Sequence, residues 1–247
     1  MASDGRVRRF DLHLMSPRTA GELARFIDHT LLAPEATRDE VLDACRNAIR
    51  WHVAAVCISP SWLPLPAGTM PAANGGGESE TALCTVVGFP SGAHASLTKS
   101  HEASLAVMNG ATEVDMVVNL GSVRDERWLE VQDEVRMVRS AVDAVRRDVV
   151  LKVICESAAL SDHELRTTCK AVVAGGADFV KTSTGFHKAG GATERAVMIM
   201  RETVGADIGV KASGGIRTTA AALSMIAAGA TRIGASATRE ILAGLPD

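Results

Sequence analysis

The stretch Ala174–Lys181 reads Ala-Gly-Gly-Ala-Asp-Phe-Val-Lys, and it decides the fold because its pattern occurs three times along the chain. In each copy a helix-like segment ends at glycine and a short apolar segment follows. The other two copies are Met108–Val118 and Ala228–Ser236. Glycine closes a helix in the left-handed conformation, and a short apolar run is typical of a buried parallel strand. The pattern therefore indicates helices that alternate with parallel strands.

Extending this pattern along the chain predicts eight strands, most of them followed by a helix. No GxGxxG motif follows an early strand, so an α/β TIM (β/α)8 barrel with a short N-terminal helix is favoured over an open doubly wound sheet. Capping boxes at Thr19/Glu22, Thr37/Glu40 and Ser161/Glu164 predict three helix starts. The predicted strands are Phe26–Thr30, Ala54–Ile58, Leu83–Gly88, Glu113–Asn119, Val150–Glu156, Phe179–Ser183, Ile208–Ala212 and Arg232–Ala235.

The length of 247 residues, with 47% hydrophobic and 22% charged residues, suits one barrel domain. We expect residues 1–18 to form a flexible N-terminal tail and residues 19–247 to form a single catalytic barrel. The segment Trp62–Glu80 is rich in proline and glycine, which destabilise helices, so we expect it to be largely irregular and mobile. The strand pattern resumes after it, so it is not interpreted as a domain boundary.

The net charge of −3 offers no basic surface, which argues against nucleic acid or anionic lipid as a partner. No apolar run approaches the roughly 18 residues that a membrane-spanning helix needs. The five cysteines are odd in number and lack CxxC spacing, so we expect free thiols and a cytoplasmic location. A small-molecule substrate is the partner that these features favour.

Charged residues that interrupt apolar strands are the best candidates for chemistry, because barrel active sites lie at the carboxyl ends of the strands. Two of them, Lys181 and Lys211, lie on neighbouring predicted strands. Two ammonium groups about 5 Å apart repel by roughly 3 kcal/mol, worth about two pKa units, so we expect a lysine with a lowered pKa. Such an amine can attack a carbonyl to form a Schiff base, with Asp115 in proton transfer. The five charged candidates are Asp28, Asp115, Lys152, Lys181 and Lys211.

The loops after strands seven and eight predict a phosphate site, since backbone N–H groups there commonly hold phosphate in barrels. A pair of tight turns is the alternative explanation for their glycines. The histidines form no HExxH or similar cluster, so no metal is expected. The candidate phosphate residues are Gly185, Gly214, Gly215, Arg217, Gly234 and Ser236.

These motifs together resemble the deoxyribose-phosphate aldolase family, and the similarity runs in order from about Thr19 to Ile241. The most specific pair is Lys-Thr-Ser-Thr-Gly at 181–185 and Lys-Ala-Ser-Gly-Gly-Ile-Arg at 211–217. The other matching segments are Ile27–Leu32, Val56–Ile58, Val87–Pro90, Glu113–Asn119 and Leu151–Glu156.

The resemblance implies a metal-free class I aldolase that needs no external cofactor and acts in deoxyribose catabolism. It would reversibly cleave 2-deoxy-D-ribose 5-phosphate to D-glyceraldehyde 3-phosphate and acetaldehyde. It implies Lys181 as the Schiff-base lysine, with Lys211 and Asp115 as partners in proton transfer and pKa tuning. Asp28, Cys57, Lys152 and Thr182 match further substrate-binding positions. The glycines named above, with Arg217 and Ser236, match the phosphate end.

The chain also departs from the family pattern, and other functions stay open. Phe186 stands where some members carry a phosphate-facing lysine, and Ala237 where some have a second serine. A noncatalytic phosphosugar-binding barrel and another Schiff-base phosphosugar aldolase are the alternatives. A metal-dependent aldolase would lose activity to a chelator. A homodimer is expected by analogy with other barrel aldolases.

Overall fold

The computed structural model describes residues 16–70 and 81–247. Its strands are β1 (Ile27–Leu31), β2 (Ala55–Ile58), β3 (Ala82–Val87), β4 (Glu113–Val117), β5 (Val150–Ile154), β6 (Phe179–Lys181), β7 (Gly209–Ser213) and β8 (Arg232–Ala235). Its α-helices are α1 (Ala20–Ala24), α2 (Arg38–Arg50), α3 (Ser96–Met108), α4 (Leu120–Arg124), α5 (Trp128–Val145), α6 (Asp162–Ala174), α7 (Glu194–Val204), α8 (Thr219–Ala227) and α9 (Thr238–Leu242).

The eight strands form a closed parallel barrel in chain order. Strand β1 pairs with β2 on one side and with β8 on the other, and Asp28 lies opposite both Ala55 and Gly234. This closure confirms the predicted TIM barrel and excludes the open doubly wound sheet. All eight predicted strands are present, with ends that differ by a few residues. The predicted N-terminal helix is α1.

Inside the barrel, one part of the wall is apolar and the rest is charged. Buried Leu32, Ala55, Cys57, Cys84 and Val86 form an apolar cluster of their own, apart from the main core. Strands β4, β5, β6, β7 and β1 contribute buried charged side chains instead, and β8 contributes Arg232, whose side chain is 15% exposed. Side chains two residues apart on a strand share a face, so one strand delivers several groups to the same interior. The larger apolar core includes the buried faces of the long helices.

The predicted helix starts are found at Thr19, Thr37 and Ser161. Thr37 and Ser161 complete the capping box. Thr19 accepts the N–H of Glu22, but the Glu22 carboxylate accepts the N–H of Arg18 instead of closing the box. Local competition for one carboxylate therefore decides whether the box forms.

The predicted irregular segment between β2 and β3 is described only in part. A single turn of 3-10 helix at Pro60–Trp62 is followed by turns and bends up to residue 70. Residues 71–80 lie outside the described part, as do residues 1–15 of the predicted tail. None of the helices within the described ranges is long and apolar enough to cross a membrane.

Candidate active site

The five charged residues singled out from the sequence meet inside the barrel. Each lies on a different strand, and barrel closure brings them together across up to 183 residues of sequence. Asp28, Asp115, Lys152 and Lys211 are fully buried, and Lys181 is 3% exposed. Buried charges are stable only when they are paired, so their pairing decides what the site can do.

Six of the interior side chains form a closed ring of ion pairs, which we call the charge ring. Asp115 accepts hydrogen bonds from Lys152 Nζ at 2.8 Å and from Lys211 Nζ at 2.7 Å. Lys211 also pairs with Asp28, whose Oδ1 accepts from Arg232 at 2.6 Å. Glu113 closes the ring, 3.2 Å from Arg232 and 2.6 Å from Lys152. In order, the ring is Arg232, Asp28, Lys211, Asp115, Lys152 and Glu113.

Lys181 is attached to this ring as a seventh charge. Its Nζ donates to Oδ2 of Asp115 at 2.7 Å, the same oxygen that accepts from Lys211. Among the described residues, Asp115 is the one carboxylate within ion-pair distance of Lys181, whereas Lys152 and Lys211 each contact at least two. The six ring members carry three positive and three negative charges, so a protonated Lys181 is the surplus cation. Loss of its proton leaves a neutral ring with every member paired.

The ring keeps its acids ionised. Burial alone raises the pKa of Asp115, but the ammonium groups of Lys152, Lys181 and Lys211 outweigh burial and hold that pKa well below its ordinary value. Asp28 behaves alike, because Arg232 and two lysines outweigh its burial and lower its pKa. Asp115 is therefore an acceptor for lysine N–H groups over the whole neutral range.

The expectation that the lysine pair lowers a pKa is wrong for Lys211. Burial does lower the pKa of Lys211, but the carboxylates of Asp115 and Asp28 outweigh burial and raise it above its ordinary value. The pKa of Lys152 is also raised well above its usual range, because its burial is outweighed chiefly by Asp115. The sequence argument counted only the two ammonium groups, whereas the fold places a carboxylate oxygen between them.

Lys181 opens onto a cavity of about 400 Å³ at the carboxyl end of the barrel. Thr30 and Thr184 contribute polar side chains to its lining, and Phe186 contributes an exposed ring. All six predicted phosphate residues also line the cavity: Gly185, Gly214, Gly215, Arg217, Gly234 and Ser236. The cavity therefore joins the lysine of the ring to the predicted phosphate loops.

Hydrogen bonds connect the ends of β6 and β7 where the two following loops border the cavity. Thr182 Oγ1 donates to the Ser213 carbonyl oxygen at 3.2 Å, and the Ser213 N–H donates back at 3.0 Å. Gly214 has φ of +89°, and a methyl group at Gly191 would lie 2.2 Å from its carbonyl oxygen. This close approach needs glycine at position 191, and the left-handed backbone favours glycine at position 214.

The other predicted substrate-binding side chains are absent from the lining of the cavity. Asp28 and Lys152 belong to the charge ring. Cys57 is fully buried in the apolar part of the barrel wall. Thr182 is buried and bonded to Ser213. Contact of these four with a substrate stays a prediction.

Sequence reasoning missed Glu113 and Arg232, which close the charge ring. Glu113 lies two residues before Asp115 on β4, and Arg232 lies two residues before Gly234 on β8, so strand alternation places each pair on one face. This two-residue spacing from a predicted site residue is the sequence signal that could have identified Glu113 and Arg232. Arg232 also lies 5.7 Å from the centre of the Phe179 ring.

Glu156 is a second residue that sequence reasoning missed. It follows β5 with φ of +56°, an uncommon conformation for a residue other than glycine. Its buried carboxylate accepts the Thr184 hydroxyl at 2.5 Å and the Thr184 N–H at 3.2 Å. Glu156 therefore fixes the segment that connects Lys181 to Gly185.

Two groups of side chains within the described ranges could hold a metal ion by distance alone. They are Cys57, Cys84 and Asp115, and Asp28, Cys84 and Glu113, with ligand atoms within 4.8 Å of one another. In both groups the carboxylates already pair with ring cations. A divalent cation would add positive charge beside three ammonium groups, so these residues do not suit a resident metal ion.

A closed barrel with a lysine-lined cavity at the carboxyl ends of its strands defines the class of (β/α)8-barrel enzymes. Comparison with known proteins narrows this class. A family model described as DeoC/LacD family aldolase matches residues 23–244. The chain belongs to the DeoC/LacD family of aldolases.

Individual relatives agree with this assignment. The deoxyribose-phosphate aldolase of Frankia alni is 49% identical over 225 residues, which cover 91% of this chain and 98% of the relative. That of Kocuria rhizophila is 51% identical over 229 residues, 92% of this chain and 98% of the relative. The solved tetrameric deoxyribose phosphate aldolase of Aeropyrum pernix has a TM-score of 0.81 at 31% identity, covering 94% of this chain and 95% of that one.

Proposed function

We propose that this chain is a class I deoxyribose-phosphate aldolase in which Lys181 forms the Schiff base. The observation that carries the proposal is the position of Lys181. It is the member of the lysine cluster that lines the cavity, and the ring beneath it is neutral without its proton. Relatives at about half identity over nine-tenths of the chain are deoxyribose-phosphate aldolases.

The first stage is imine formation. The neutral amine of Lys181 adds to the C1 aldehyde of open-chain 2-deoxyribose 5-phosphate, and the resulting carbinolamine loses water to give an iminium ion. Asp115 accepts one N–H of Lys181 and so holds the nitrogen in place at the cavity. Lys211, held protonated by two carboxylates, is the adjacent proton donor for the departing hydroxyl group.

The second stage breaks the carbon–carbon bond. The C3 hydroxyl gives its proton to water in the cavity, the C2–C3 bond breaks, and its electrons flow into the iminium. The products are glyceraldehyde 3-phosphate and an enamine on Lys181. Protonation of the enamine at C2, followed by addition of water, releases acetaldehyde and restores the amine.

We assign the phosphate group to the loops after β6, β7 and β8. Gly185, Gly214 and Gly215 expose backbone there, and Arg217 supplies an exposed positive charge. At the end of β8, Gly234 and Ser236 also line the cavity. We further propose that residues 19–247 act as one catalytic domain.

Reductive trapping tests the proposal. The protein is incubated with acetaldehyde and borohydride, and intact mass with peptide mapping locates the adduct. We expect one reduced ethyl group on the Lys181 peptide of the wild type and of Lys170→Leu, an exposed control. Lys181→Leu should show none. An adduct on Lys211 instead would reverse the roles of the two lysines.

A substrate assay separates the alternatives. Release of acetaldehyde from 2-deoxyribose 5-phosphate is the expected result. Trapping without this release would indicate another Schiff-base aldolase, and binding of the phosphosugar without trapping would indicate a noncatalytic barrel.

Self-association into a homodimer is a separate proposal. Leu97, Leu105 and Met108 on α3 are 57–69% exposed, and an apolar helix face of this kind is often covered by a partner. Light scattering that gives the monomer mass at micromolar concentration would reject it. A cytoplasmic location is likewise proposed from the five free, buried cysteines.

A further inference from the structure

The side of the charge ring farthest from the cavity has no direct role in the proposed chemistry. Arg232 and Glu113 are the first residues of β8 and β4, at the amino ends of the strands. The substrate cavity opens at the opposite ends and is lined by neither residue. Both are nevertheless bound into the ring, Arg232 through Asp28 and Glu113 through Lys152.

Each carboxylate of the ring bridges at least two cations. Asp28 bridges Arg232 and Lys211, and Glu113 bridges Arg232 and Lys152. Arg232 therefore holds two acids at once. Those two acids form ion pairs with Lys211 and Lys152, which both contact Asp115. Asp115 in turn accepts a hydrogen bond from Lys181.

We propose that Arg232 and Glu113 are positioning residues that keep the charge ring neutral and thereby make Lys181 the cation that releases its proton. The inference rests on the proposed function, in which neutral Lys181 is the nucleophile. Its physical basis is the charge count. With all six ring members ionised, the ring has no net charge, and a protonated Lys181, although paired with Asp115, adds one net positive charge to a buried, low-dielectric interior.

All the strands of the barrel except β6, which carries Lys181, contribute groups that face this interior. Arginine stays protonated at all relevant pH values, so Arg232 contributes a fixed charge. The pKa of Asp28 and of Asp115 is lowered by the ring cations, which outweigh burial, so both contribute fixed negative charges. The facing groups are Asp28 on β1, Cys57 on β2, Cys84 on β3, Asp115 and Glu113 on β4, Lys152 on β5, Lys211 on β7 and Arg232 on β8.

Two neutralising variants should act in opposite directions. Arg232→Met leaves the ring one negative charge in excess, so Lys181 keeps its proton to higher pH. Glu113→Gln leaves it one positive charge in excess, so Lys181 releases its proton at lower pH. At a separation of about 10 Å and an effective dielectric near 20, one charge shifts the titration by about one pH unit.

The experiment measures the acidic limb of the pH profile, both for kcat/KM and for the rate of reductive trapping by acetaldehyde with cyanoborohydride. We expect the midpoint to rise by about one unit in Arg232→Met and to fall by about one unit in Glu113→Gln. The double variant restores ring neutrality and should return the midpoint to the wild-type value. Arg232→Lys keeps the charge and should leave the midpoint in place.

The controls distinguish a charge effect from damage to the fold. Arg166→Met removes an arginine from an exposed ion pair with Glu202 and should leave the midpoint unchanged. Thermal unfolding reports folding, and if Arg232→Met does not fold, the near-isosteric Glu113→Gln carries the test alone.

Three outcomes overturn the inference: unchanged midpoints with reduced kcat, shifts in the same direction for both single variants, or a double variant that stays shifted. Absence of trapping in the wild type would instead refute the proposed function, so the two failures are distinguishable.

Discussion

The buried ion pair between Lys99 and Glu134 gives a sharp test of how the carboxyl end of β4 is held. Lys99 Nζ donates to Glu134 Oε1 at 2.8 Å and to the Val117 carbonyl oxygen at 2.7 Å. The Lys99 side chain is fully buried and that of Glu134 is 4% exposed. The second Glu134 oxygen accepts the Asn119 N–H at 3.1 Å. The pair therefore links α3 and α5 to the strand that carries Asp115.

The perturbation is Lys99→Met, which keeps the length of the side chain and removes its charge. Among the described residues, it leaves the buried Glu134 carboxylate with one backbone N–H as its remaining hydrogen-bond partner, so we expect the free energy of unfolding to fall by about 3–5 kcal/mol. The double variant Lys99→Met/Glu134→Gln buries a neutral amide that can still accept the Asn119 N–H. Its expected loss is about 1–2 kcal/mol, smaller than that of the single variant.

Urea unfolding at pH 7, followed by circular dichroism, measures these differences. The exposed ion pair between Arg166 and Glu202, with side chains 42% and 62% exposed, supplies the matched control. Arg166→Met should cost about 0.5 kcal/mol or less. A loss below about 1 kcal/mol for Lys99→Met, or a double variant less stable than Lys99→Met alone, would refute the argument from the unpaired buried charge.

Three further predictions concern the site and its surroundings. Lys211→Leu removes the cation that shares an oxygen of Asp115 with Lys181, so the acidic limb of the pH profile for reductive trapping should move up by about two pH units. An unchanged pH profile in a folded variant would contradict the electrostatic coupling between Lys211 and Lys181. Gly191→Ala places a methyl group 2.2 Å from the Gly214 carbonyl oxygen and should displace the Gly214 backbone. We expect kcat/KM for the phosphorylated sugar to fall about tenfold and kcat/KM for unphosphorylated 2-deoxyribose to stay unchanged. Equal losses for the two substrates would show that Gly214 does not bind the phosphate group. Burial lowers the pKa of His29, whose Nδ1 lies 2.8 Å from Thr238 Oγ1, so the unfolded chain takes up a proton more readily than the folded protein. The free energy of unfolding should therefore fall as the pH drops below about 6.5, the ordinary pKa of histidine. His29→Gln should flatten the decline in unfolding free energy between about pH 7 and 5.5, and an identical decline would show that another group is responsible.

The sequence by itself determined the barrel and the chemistry-bearing residue types. Glycine before short apolar runs, repeated along the chain, predicts alternating helices and strands because those preferences are local. Lysine within an apolar strand is unusual enough to mark Lys181 and Lys211 as candidates. The same local logic succeeded at the capping boxes of Thr37 and Ser161. It fell short at Thr19, where the Arg18 N–H takes the carboxylate.

Only the tertiary structure decided which charges pair. Arg232 and Asp28 are 204 positions apart and meet because β8 closes on β1. Closure also places an Asp115 oxygen between two lysines, which reverses the expected direction of the Lys211 pKa shift. Ion-pair energies depend on distance and burial, and neither can be read from residue order. The sequence identified the lysines as candidates, but barrel closure determined that Lys181 is the one that lines the cavity and lies outside the neutral ring.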